Sequence, residues 1–293
     1  MSDRKEKAMG GTHMNQKRKK NKRVIPGFGL TMGITLTMLG LVVLLPLCSL
    51  IIFSAKLSPA EFIATVTRPR VLASYAVSFE TAFIAALVDA VMGMILAWVL
   101  VRYEFPGKAI MNGMIELPFA LPTAVAGIAL THLTTTNGWV GSLFAKFGIE
   151  IAYTRFGIIV ALVFVGIPFV VRAVQPVLEK LDSQYEEAAD ILGANKRQTL
   201  FRVILPEIAP ALIAGFTMSF ARGLGEYGSV VFIAGNTPYE TEIAPLMIMS
   251  KLQEFDYASA TSIALVMLFA AFIILLINAM IQSRASKITS GIA

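Results

Sequence analysis

Residues 186–206 read EEAADILGANKRQTLFRVILP. The stretch is polar, helical in periodicity and interrupted by Gly193. It lies between two long apolar runs. A short helix, a glycine and a basic second segment in such a place call for an explanation that starts from the runs themselves.

Hydrophobic residue types make up 56% of the 293 residues and charged types 15%. A soluble domain carries roughly 25% charged residues. The apolar residues come in uncharged blocks, and about 20 apolar residues suffice to cross a bilayer as a helix. Six such blocks are expected as spans, over residues 24–55, 75–101, 109–131, 156–175, 208–233 and 257–281. The second contains Glu80 and Asp89, the third Glu116, Pro118 and Pro122, and the fifth Arg222 and Glu226. The first block is too long for the apolar core of a signal peptide, and no small-residue cleavage site follows, so it reads as a retained anchor.

Nine of the 25 Lys and Arg residues fall in residues 1–23, ahead of the first block. That tail has little to build a core from and is expected to be disordered. A basic flank beside a span is a topology signal rather than a nucleic-acid site. With the N-terminus inside, the cytoplasmic segments hold 18 Lys and Arg and the outer loops 6. This threefold excess orients the chain with both termini cytoplasmic. The opening stretch then falls in the inner connection between the fourth and fifth spans.

Other chemistry is poorly supplied. Cys48 is the single cysteine, and the two histidines, His13 and His132, stand apart. Neither a disulfide nor a thiolate cluster is available within the chain. There is no G-x-x-x-x-G-K-[ST] nucleotide cradle. An intramembrane enzyme lacks its residues: His132 has no H-E-x-x-H context, and Asp89 is the one aspartate well inside a span. No cofactor is expected on this chain.

The opening stretch has the marks of an elbow. Ser183-Gln184-Tyr185-Glu186 has capping-box form, and EEAADIL propagates a helix well. Gly193 suits a left-handed C-cap. The chain restarts at NKRQ and meets Pro206 and Pro210, expected in the first turn of the fifth span. On these residues alone the elbow is either an ordinary connection or a docking site for a cytoplasmic partner.

Glu187-Ala188-Ala189, three residues, Gly193, nine residues and Val203-Ile204-Leu205-Pro206 resemble the EAA signature of importer-type ABC transporter permeases. Val203 departs from the isoleucine that the family favours. LPFALPTAVAGI (117–128), IPFVVRAVQPVLEKL (167–181), GEYGSVVFIAGN (225–236) and LQEFDY (252–257) are similar to the permeases of sulfate/thiosulfate importers, nearer the T-type than the W-type subunit. The resemblance spans about residues 24–285. It implies an all-α membrane protein of six transmembrane helices with the type I ABC importer permease fold. The tails are residues 1–23 and 286–293, and residues 176–206 are the coupling loop. Glu187, Ala188, Ala189, Gly193, Leu205 and Pro206 are implied as its ATPase-coupling residues. The implied partners are a W-type permease, a dimeric ATPase and an extracytoplasmic binding protein, in the inner membrane of a bacterium. A molybdate/tungstate importer permease is the alternative. A free-standing channel would have no use for the coupling loop.

Candidates for the translocation path are Arg222, Glu226, Tyr227, Ser229, Pro118 and Pro122. An ionisable residue within a span is costly and therefore a functional candidate. Arg222 suits an oxyanion, but Glu226 at i+4 is placed to neutralise it. Gly223, Gly225 and Gly228 suit close helix packing. Pro118 and Pro122 are expected to bend the third span and free backbone carbonyls. Glu80, Asp89 and Glu116 read as packing partners or interface groups, and Arg172 as a snorkelling cation.

Overall fold

The computed structural model describes residues 28–181 and 184–290, all helix and connecting loop. The basic tail and Ser183 of the expected capping box lie outside them. The long helices are α1 (Phe28–Ser54), α3 (Pro69–Arg102), α7 (Arg155–Lys180), α9 (Lys196–Leu224) and α12 (Tyr257–Ser290). Each is long and apolar enough to cross a membrane. Short helices link them: α2 (Pro59–Val66), α4 (Lys108–Ala120), α5 (Thr123–Thr134), α6 (Trp139–Ala145), α8 (Gln184–Ile191), α10 (Val230–Ile233) and α11 (Ala244–Gln253).

The described residues up to Cys48 form one compact unit and those from Ser49 onward a second, which holds the packed core. Within the larger unit α3 and α7 run parallel. Glu80 near the start of α3 pairs with Arg155 at the start of α7 at 2.7 Å. Gly93 faces Val170, and Arg102 at the end of α3 reaches the Leu181 carbonyl at 3.4 Å. Helix α9 runs the opposite way: Gly223 faces Ala82, and Gly215 faces Val170. Tyr75 in the first turns of α3 donates to Ile263 O at 3.4 Å, which puts the start of α12 at the same end.

Lipid chains are as apolar as leucine, so burial alone does not drive helices together in a membrane; close van der Waals packing does. Small residues permit it here. A Cβ at Gly93 would fall 2.7 Å from Val170 Cβ, and one at Gly215 would fall 2.7 Å from Val170 Cα. Val170 is thus clasped between two glycines of different helices. The core has two centres. One groups Val77, Ile158, Leu162, Leu224 and Ile233. The other groups Ala97, Val170, Val174, Leu178 and Ile208 toward the far end of α3.

The third block is broken sharply rather than gently bent. It is α4 and α5, set at 113° to each other. Pro122 explains the break: it has no N–H, and the residue before a proline is pushed out of the helical region. Leu121 is extended accordingly, at φ −85°, ψ 137°. Val125 N and Ala126 N both turn to Pro122 O, so the carbonyls of residues 118–121 accept no backbone hydrogen bond from the turn that follows. Because α3 and α7 are parallel, residues 103–154 must carry the chain back from the end of one to the start of the other.

The fifth block also departs from expectation. The helix over 208–233 instead starts at Lys196 and stops at Leu224, and α10 follows a break over residues 225–229. Pro206 stands in the first turn of the α-helical stretch Leu205–Leu224 and Pro210 lies inside it, with helix continuing back to Lys196. A wider π turn at Leu200–Ile204, with Leu205 N bonded to Leu200 O, precedes Pro206 and absorbs its missing hydrogen bond.

Candidate functional site

The elbow forms as its residues dictate. Helix α8 ends where Gly193 takes φ +80°, a conformation that costs an L-residue with a Cβ. Ala194 N donates to Ala189 O and Gly193 N to Asp190 O, both at 2.9 Å, which satisfies carbonyls of the last turn. Asn195 then opens α9 with a capping box: Gln198 N donates to Asn195 Oδ1, and Asn195 N to Gln198 Oε1, both at 2.9 Å.

The signature residues divide between two faces of α8. Glu187 and Ala188 are exposed, as is Tyr185, while Ala189 is buried. Ile191 and Leu192 stand out from the tip at 86% and 87% exposure. Leu205 is half-buried and Pro206 exposed, just beyond the buried Ile204.

Glu186 points the other way. Its Oε1 lies 2.7 Å from Arg102 Nη2 at the end of α3. The Arg102 guanidinium also stands over the Trp98 ring, 5.7 Å from its centroid. Between this clasp and the start of α9 is a cavity of about 610 Å³, lined among others by Trp98, Tyr103, Asp190, Lys196 and Leu200. The sequence presents Arg102 only as a loop cation and Glu186 only as the end of a capping box. The periodicity of α8 places Glu186 and Ala189 on one face, but no local signal names Arg102, far earlier in the chain, as the partner.

The second constellation is where two broken helices meet. Ser229, in the break before α10, packs on Gly127 of α5, where a Cβ would fall 2.8 Å from Ser229 Cα. Gly228 faces Thr123 and Ala124 N at the start of α5. The interruption at Pro122 and the one at 225–229 therefore lie face to face. Pro118 is half-buried in α4, one turn before the interruption.

Arg222 Nη1 lies 2.5 Å from Glu226 Oε2. Spacing alone sets the pair along one helix; it forms instead across the end of α9, because Gly225 lets the chain leave the helix. Glu226 is buried, and its Oε1 accepts from Ser229 N at 2.8 Å and Ser229 Oγ at 3.0 Å. The carboxylate is thus fully engaged, while Arg222 keeps partial exposure. Tyr227 is half-buried against the core cluster of Val230 and Ile233.

Arg172 and Asp89 also have close partners. Arg172 pairs with Glu116 of α4 and donates to Gln175 Oε1 at 2.9 Å. Asp89 is buried and accepts from Ser219 Oγ at 2.5 Å.

A family model described as "Binding-protein-dependent transport system inner membrane component" matches residues 89–287. Over 271 residues the chain is 48% identical to the sulfate transport system permease protein CysT of Escherichia coli (strain K12), covering 92% of this chain and 98% of that one. It is 47% identical to the protein of the same name from Synechocystis sp. (strain ATCC 27184 / PCC 6803 / Kazusa), covering 85% of this chain and 87% of the other. In fold it is similar to a chain of a bacterial alginate ABC transporter solved with an alginate pentasaccharide-bound periplasmic protein. That likeness has a TM-score of 0.72 at 18% identity, over 89% of this chain and 96% of the other.

Proposed function

The chain belongs to the family of binding-protein-dependent transport system inner membrane components, and from that membership we propose that it supplies half of the membrane pathway of an ATP-driven importer of sulfate or thiosulfate. The names of its sulfate-transport relatives support the substrate class. The chain carries no cofactor and does no covalent chemistry; ATP is hydrolysed on a separate ATPase dimer. A W-type permease completes the pathway, and an extracytoplasmic binding protein delivers the anion. The site of action is the inner membrane of a bacterium.

The observation that carries this reading is the elbow's outward face. Glu187, Ala188, Ile191 and Leu192 form an exposed, partly apolar tip on a helix held at fixed geometry by Gly193 and the Asn195 cap. Such a tip fits a groove of another protein by the helix-in-groove mode. We take that protein to be the ATPase, on the cytoplasmic side. With the elbow inside, α7 and α3 run inward and α9 outward, and α4 with α5 counts as a crossing. Six crossings then put both termini in the cytoplasm. Closure of the ATPases on ATP displaces the elbows of both permeases and exchanges an inward-open pathway for an outward-open one. The interrupted helices at Pro122 and 225–229 supply the backbone that lines the path, since irregular backbone at membrane depth needs a protein or water neighbour.

The test is reconstitution of the permease pair with the ATPase and binding protein in liposomes. Sulfate-stimulated ATP hydrolysis with uptake that thiosulfate inhibits is the expected result. Uptake inhibited by molybdate and not by thiosulfate would reassign the substrate, and uptake without the ATPase would overturn the mechanism.

A further inference from the structure

We propose that the Arg102–Glu186 pair is the strut through which displacement of the elbow reaches the helix bundle, with Arg102 as its positioning residue. The proposal deepens the importer reading and rests on it for its use.

Three observations converge. First, among the described residues this is the only ion pair that α8 makes; Glu187 and Asp190, on the same helix, have none. Second, the pair bridges open space. The cavity of about 610 Å³ beside it means that the elbow is clasped to α3 and not packed on it. A clasped element moves as a lever, whereas a packed one moves only with its whole surroundings. Third, the bundle end of the strut is rigid. Arg102 is braced by the Trp98 ring and the Leu181 carbonyl. One turn deeper Ala97 is buried among Val170 and Val174. Above them Gly93 meets Val170, and Asp89 meets Ser219 of α9. A push on Glu186 therefore enters α3 at its end and reaches α7 and α9, the helices that border the facing breaks.

Chemistry suits the task. The pair holds by charge rather than by a hydrogen bond, since Glu186 Oε1 and Arg102 Nε find no hydrogen-bond partner among the described residues, and the guanidinium carbon lies 5.7 Å from the Trp98 ring centroid. A lysine keeps the charge and loses the planar group over Trp98. The outward face of α8 remains free for the ATPase, so one short helix holds the motor on one side and the bundle on the other.

The experiment uses two readouts on Arg102→Gln, Glu186→Gln, Arg102→Glu, Glu186→Arg and the exchanged pair Arg102→Glu/Glu186→Arg. Amide exchange on the full chain in nanodiscs reads the tie itself. ATP hydrolysed per anion moved, in the complete reconstituted complex, reads its use, and a mere loss of folded protein leaves that ratio unchanged. Each single variant is expected to speed exchange over residues 184–192 by about tenfold, as a lost local tie does, and to raise ATP spent per anion. The exchanged pair is expected to return both toward wild type. Wild-type exchange in both Gln variants, or an exchanged pair no better than its worse single, overturns the strut. If exchange follows the expected pattern while the wild-type complex moves no anion with ATP, the strut stands and the importer reading falls.

Discussion

Ser219 Oγ donates to Asp89 Oδ2 at 2.5 Å, with both side chains buried where α3, α7 and α9 converge. Gly166 of α7 lies against the same carboxyl, and a Cβ there would fall 3.0 Å from Asp89 Cγ and closer still to its oxygen. The space for the pair exists only because residue 166 has no side chain. Gly166→Val is therefore expected to destabilise the chain by about 1–3 kcal/mol, the usual cost of overpacking. Asp89→Asn keeps a group able to meet Ser219 and is expected to cost less. Thermal unfolding in detergent checks both; equal midpoints for Gly166→Val and wild type would contradict the packing argument.

Gly193 offers a test of the elbow's shape. At φ +80° it faces open space: a Cβ there would have nothing within 4 Å, so clashes with neighbours are not the issue. Backbone conformation is. Gly193→Ala is expected to cost about 1 kcal/mol of local stability, from the left-handed φ alone. Gly193→Pro cannot adopt that φ and also removes the N–H that meets Asp190 O. It is expected to leave membrane insertion intact and to reduce ATP-driven uptake by at least tenfold, with Glu187→Lys in the same direction. Undiminished uptake in the Glu187→Lys/Gly193→Pro double variant would remove the elbow from the mechanism.

These two sites mark how far the sequence alone reaches. Gly193 is legible because a C-cap is a local device: a run of strong helix formers, a glycine and a restart lie within a few residues. The apolar blocks are legible for the same reason, since composition over a span's length decides them. The breaks are only half legible. Pro122 announces a disturbance, but the choice between a gentle bend and a turn of 113° depends on Leu121 and on what α5 packs against. The end of α9 at Leu224 is hidden because Gly225 and Gly228 also suit ordinary helix packing. Arg102–Glu186 and Arg172–Glu116 are invisible, since each joins residues far apart in the chain.

Outside the spans, α2 carries a pH-sensitive cap. Ser58 N donates to Glu61 Oε2 at 2.8 Å, and Glu61 N donates to Ser58 Oγ at 3.3 Å. The backbone bond from Ser58, then its side-chain bond, hold the Glu61 carboxyl below its ordinary value. A depressed acid stabilises the folded cap above its unfolded pKa, near 4.3, and that contribution fades as pH falls through the lower folded value. Amide protection over residues 59–66 is therefore expected to be full at neutral pH and to drop below about pH 4. Glu61→Gln should flatten that dependence; an unchanged profile would show that the cap does not control it.

The Arg222–Glu226 pair decides whether the pathway holds a fixed cation. Glu226 is buried with three contacts, one from Arg222 and two from Ser229. Removing Arg222 alone strands a buried carboxylate, which typically costs about 3–5 kcal/mol, a large share of a whole domain's reserve. Arg222→Ala is thus expected to lower the yield of folded chain as well as uptake. Glu226→Gln added to it removes the stranded charge and leaves an amide oxygen for Ser229. If the pair is structural, as its geometry favours, the double variant recovers both yield and sulfate uptake to within a few fold of wild type. If yield recovers and uptake does not, Arg222 serves the anion directly, and the guanidinium must leave Glu226 at some stage of the cycle. Size-exclusion profiles and uptake measured on the same preparations separate the two, because the first reads folding and only the second reads passage.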